Sequence, residues 1–109
     1  MLLLAGCSSE QTQEDLGVKL LAEAHVAVMD RLKDPGSAEF DDSQAGILVS
    51  EGLVCNGQVN AKNSFGGYTG KKLYWYSRSM GVATQDDDYS RVAMITDLCI
   101  AALARRNSR

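Results

Sequence analysis

The hydrophobic repeat of this chain changes period twice, and that sets the order of its elements. Between Gln13 and Lys33 the apolar residues Leu16, Leu20, Leu21, Ala24, Ala27, Val28 and Leu32 recur at helical spacing. Thr12 is placed to cap this helix, with Glu14 and Asp15 in the first turn, where the helix dipole favours acids. Asp34-Pro35-Gly36 is expected to end it, because the residue before a proline is driven out of the α region. The period then drops to two. Gly46 to Ser50 reads as a short strand with a turn at Glu51-Gly52. Leu53 to Ala61 alternates, with Leu53, Cys55, Gly57, Val59 and Ala61 on the side that suits burial. Lys72 to Ser77 is aromatic and strand-like, and Met80 to Thr84 continues or bends it. From about Tyr89 to Arg106 the helical period returns, with a stripe of Val92, Ile95, Leu98, Cys99, Ala102 and Leu103. The expectation is an α+β fold in the order α-β-β-β-α: an antiparallel sheet of three to four strands with both helices packed on one face.

At 109 residues the chain suits one domain, with a core modest enough to benefit from a covalent staple. The net charge of −3 argues against nucleic acid as a partner. No apolar run approaches the roughly 20 residues that span a bilayer.

The N-terminus offers another route to a membrane. Leu4-Ala5-Gly6-Cys7 resembles the lipobox of bacterial lipoproteins, in which the residues before the cysteine are removed and the thiol carries the lipid. By that resemblance Cys7 is the lipidation site, and residues 1–6 are the remnant of a signal peptide. Residues 7–13 are then the acylated cysteine and a polar tether, and 14–109 a single α+β domain. Only six residues precede Cys7 and none is basic, so either the start lies upstream of Met1 or the leader has been trimmed. The absence of Asp after Cys7 favours, by the same resemblance, the outer membrane of a Gram-negative bacterium.

Setting Cys7 aside leaves two cysteines. Cys55 lies on the inward side of a strand and Cys99 on the inward stripe of the last helix. An exported protein matures where disulfides persist, so a Cys55–Cys99 bond is expected, the alternative being two buried thiols. Two cysteines and the single His25 do not make a metal site, and neither metal nor cofactor is expected.

Two segments, Leu32 to Phe40 and Val54 to Gly70, resemble a pattern found in small, mostly uncharacterised bacterial exported proteins. In it a DPxSAxF element follows a helix, and a VCGxVNAKNSFGGYTG element carries a cysteine-bearing strand into a loop. Here Asn56 stands as an extra residue between Cys55 and Gly57, and it either bulges the strand or shifts which residues face the core. The pattern brings no established activity.

The candidate binding residues are Asn60, Lys62, Asn63, Ser64, Phe65, Tyr68 and Thr69 of the glycine-rich loop, with Tyr74 and Tyr76 of the aromatic strand. The loop is either a recognition surface or a turn whose asparagines bond local backbone. The tyrosines, and Trp75 between them, form either an exposed patch or cross-strand packing. Asp86-Asp87-Asp88 is expected to cap the last helix rather than hold calcium. No nucleophile–base arrangement is evident, and no enzyme is expected. The expected function is that of a non-enzymatic lipoprotein binding another cell-envelope protein or glycan. The alternative is a phage- or plasmid-borne exclusion or inhibitor lipoprotein that masks a receptor or blocks a wall-degrading enzyme.

Overall fold

A computed structural model of the chain describes residues 12–107; Cys7, the leader remnant and most of the tether lie outside the described residues. The elements run α1 (Gln13–Met29), β1 (Glu39–Asp41), β2 (Gly46–Leu48), β3 (Leu53–Asn60), β4 (Lys72–Ser77), β5 (Gly81–Thr84) and α2 (Tyr89–Asn107). Thr12 caps α1 as expected, its hydroxyl accepting the Asp15 amide at 3.0 Å. The helix stops at Met29, short of the proline, because the chain tightens there: the Arg31 amide bonds Val28 and the Leu32 amide bonds Met29. Pro35–Ser37 forms one separate 3-10 turn.

The α+β class and the antiparallel sheet are as expected, with five strands in place of three to four. β3 is the central strand. Its far end pairs with β1, from Glu39 opposite Asn60 to Asp41 opposite Gln58, and its near end pairs with β2, from Gly46 opposite Cys55 to Leu48 opposite Leu53. On its other side β3 pairs with β4, and β4 with β5. β1 escaped the sequence reading because three residues, two of them acids, carry no periodicity.

The helices do not share a face. Leu20, Ala24 and Val28 of α1 pack with Val54, Val59, Tyr74 and Val82. Ile95, Cys99 and Ala102 of α2 pack with Leu48, Leu53, Cys55, Trp75 and Ala83. Neighbours in one strand, such as Tyr74 and Trp75 or Val82 and Ala83, therefore serve opposite cores, and the sheet lies between the two helices. The expected alternation along β3 fails for the same reason. The pairing of β3 with β4 shifts register between Val54 and Gly57, and Asn56 bulges out at φ 62°. Before the bulge Leu53 and Cys55 face α2; after it Gly57 and Val59 face α1. The Cys55–Cys99 disulfide joins β3 to α2, with 6.0 Å between the α carbons. Trp75 lies in the same cluster, and its indole N–H donates to the bulged Asn56 side chain at 3.0 Å.

β5 is an edge strand, which would present unpaired backbone to other chains. Two arginines cover it. Arg31 donates to the Val82 carbonyl at 3.0 Å, and Arg91 donates to the Met80 and Val82 carbonyls at 2.7 and 2.9 Å. Asp87, expected as a helix cap, instead receives Arg31 at 2.9 Å and the Thr84 amide at 3.2 Å. The Arg31 guanidinium holds the Asp87 carboxyl below the usual range, against the opposing effect of burial. A carboxyl depressed in the folded state stabilises fully above its unfolded value, and that contribution is lost as pH falls through the folded value. Asp87→Asn should therefore lower the urea midpoint at pH 7. The gap to wild type should close as pH drops below about 4. Urea titrations followed by circular dichroism at both pH values check this; an equal gap at both would discard the ion pair as its source.

Candidate functional site

The two pattern segments form one structural unit. β1 brings Glu39-Phe40-Asp41 alongside the end of β3. The Ser37 hydroxyl accepts the Lys62 amide at 2.9 Å and donates to the Asp34 carbonyl at 2.7 Å. The Tyr68 hydroxyl returns across the gap and donates to the Ser37 carbonyl at 3.0 Å. The turn after the proline thus fastens both arms of the 60–70 loop.

Within that loop the asparagines build the backbone, as the turn-forming reading supposed. The Asn63 side-chain oxygen accepts the Phe65 and Gly67 amides at 2.9 and 3.2 Å, and its main-chain carbonyl accepts the Gly66 amide at 3.1 Å. Gly66 sits at φ 83°, which an L side chain resists. The Asn60 side chain accepts the Gly70 amide at 3.0 Å, and the Thr69 amide donates to the Ala61 carbonyl at 3.3 Å. Lys62 bridges to Tyr68, its ammonium 5.6 Å from the centre of that ring. Residues 63–70 keep exposed surface, the tip most of all. Ser64 is exposed, Phe65 is 94 % exposed and Tyr68 is 45 % exposed.

The strand tyrosines do not belong to that surface. Tyr74 is fully buried against α1, and Tyr76 is half-buried with its hydroxyl donating to Glu23 at 2.8 Å. Trp75 is buried on the opposite side. They are packing residues, because the helices on the two sides of the sheet cover Tyr74 and Trp75 and half cover Tyr76.

Tyr74 leads to a cluster that the sequence reading missed. Its hydroxyl donates to Asp42 at 2.6 Å, and His25 Nε2 meets the other oxygen of the same carboxylate at 2.7 Å. Burial, and then the bond to Asp42, push the Tyr74 phenol far above its ordinary value, so it is a neutral donor. The His25 ring stacks on Phe40 at 3.7 Å between centres, and Tyr74 meets Phe40 edge-on. One carboxylate thus ties α1, the β1–β2 turn and β4 together. Among the described residues His25 hydrogen-bonds Asp42 and no serine, threonine or thiol.

Two of the hollows on the described surface lie near these elements. One, of about 890 Å³, runs past β2 between the start of α1 and the end of α2, with Gly17, Val18, Leu21, Ile47, Val49 and Ala102 in its lining. The other, of about 280 Å³, lies beside the loop, where Lys62, Asn63 and Thr69 meet the end of α1 and the Lys72 end of β4. Among the described residues no group of three or more His, Cys, Asp or Glu side chains could hold a metal ion. Comparison with protein-family models, curated proteins and solved structures finds no match to this chain.

Proposed function

We propose that this chain is a non-enzymatic, exported binding domain, lipid-anchored through Cys7 to the outer membrane, which engages another cell-envelope component with the tip of its 60–70 loop. The observation that carries this reading is Phe65: a large aromatic side chain, 94 % exposed, on a loop whose backbone is fastened by Asn60, Asn63 and Tyr68. Such a side chain contributes nothing to the core. Pre-ordered on a scaffold, it can bury its ring against a partner at little entropic cost.

The test uses the full-length protein in its own envelope, with a photo-crosslinking residue in place of Ser64. Wild type should give a discrete adduct in the membrane fraction. Phe65→Ser should lose most of that adduct while keeping its far-ultraviolet circular dichroism. Cys7→Ala should move the protein from the membrane to the soluble fraction. An adduct indifferent to Phe65→Ser removes the loop from the reading, and unchanged pelleting of Cys7→Ala removes the anchor.

A further inference from the structure

We propose that the cleft beside the loop is an oxyanion site, taking a carboxylate or phosphate group carried by the envelope ligand. The proposal rests on the reading of the 60–70 segment as a recognition surface and gives that surface a charge preference.

Four cationic side chains line the cleft, Arg31, Lys33, Lys62 and Lys72, although the chain as a whole is acidic, at −3. Arg31 is matched by Asp87 and Lys72 by Asp86. Lys33 and Lys62 have no carboxylate partner among the described ion pairs, in which most of the other cations are engaged. Two unneutralised ammonium groups on one small hollow repel each other until an anion enters. The cleft lining includes the apolar side chains Val28, Leu32, Val59 and Ala61, which lower the local dielectric and strengthen a charge placed there.

The Asp86 carboxylate, held by Lys72, also lines the cleft, and neutral donors stand beside the free ammonium groups. The Asn63 side-chain oxygen is occupied by two backbone amides, so its amide N–H groups are what it can offer a ligand. The Thr69 hydroxyl stands beside it. About 280 Å³ suits one charged group and the ring or short chain that bears it, and is too small for a helix or a folded partner to enter.

The test titrates the oxidised, isotope-labelled chain with sodium glucuronate, glycerol phosphate and, at matched ionic strength, sodium chloride. Glucuronate or glycerol phosphate should give saturable amide shifts at Lys33, Lys62, Asn63 and Thr69 that chloride does not. Which of the two binds separates a carboxylate from a phosphate preference. The Lys33→Gln/Lys62→Gln double variant should weaken that binding about tenfold. Shifts no larger than those of chloride, or wild-type binding by the folded double variant, overturn the proposal. If the probes bind but the loop forms no envelope adduct, the oxyanion site stands and only its envelope setting is lost.

Discussion

Cys55→Ala/Cys99→Ala should unfold about 4 kcal/mol more easily than the oxidised chain. The two cysteines are 44 residues apart, and closing a loop of that length removes entropy from the unfolded ensemble and so raises its free energy by about this much. The link is also well placed in the folded state. It joins the central strand to α2 within the cluster of Leu53, Trp75, Ile95 and Ala102, so its loss loosens the one helix that covers that side among the described residues. With a urea slope of about 1–1.5 kcal/mol/M, the midpoint should drop by about 3 M. That is a large share of the 5–15 kcal/mol typical of a domain. Wild type treated with reductant should behave like the double variant. A midpoint shift below about 1 M in both would show that the helix is held by packing alone.

Gly57→Ala should cost about 3 kcal/mol or more, although the glycine is in ordinary strand conformation. A methyl group there would stand 2.3 Å and 2.4 Å from two carbons of the Tyr74 ring and 2.7 Å from its hydroxyl. The ring cannot yield without leaving its site, since it is fully buried and its hydroxyl is held by Asp42. Overpacking of this kind distorts the backbone or expels the ring, and expulsion adds the loss of a buried aromatic. Tyr74→Val provides the control. In that background the alanine should cost under about 1 kcal/mol, so the double-mutant cycle should show strong coupling between positions 57 and 74. Additive effects would mean that the glycine is needed for some reason other than the ring lying on it.

Much of this architecture was legible in the sequence. The two helices, three of the strands and the Cys55–Cys99 link follow from period, capping and the inward placement of both cysteines, because each leaves a local signal. The two-sided sheet left a signal too, and alternation hid it. Leu53-Val54-Cys55, Tyr74-Trp75 and Val82-Ala83 are unbroken apolar runs, the mark of strands covered on both faces. β1 was out of reach, because its three residues are held by register with β3 rather than by propensity.

The site divides in the same way. The 60–70 loop stood out by composition, since glycines and asparagines advertise turn chemistry. Tyr74 and Tyr76 were left between two readings, exposed patch and packing, because aromatic strands look alike whether they face water or a helix. His25, Asp42 and Tyr74 are separated by 17 and 32 residues, and only the fold brings them to one carboxylate. The proposed oxyanion cleft draws Lys33, Lys62 and Lys72 from three separate segments; Lys62 stood out with its loop, and nothing local marks the other two.

Asn56 bears on how such a strand tolerates length change. Consecutive residues of a regular strand point to opposite faces. Cys55 and Gly57 do so here with one residue between them, because that residue is looped out at φ 62°. A shorter relative with the cysteine and glycine adjacent would present the same two side chains to the same two cores with no bulge at all. Odd and even spacings are therefore interchangeable at this one point, and an insertion that would elsewhere invert the whole strand is absorbed within a single peptide unit.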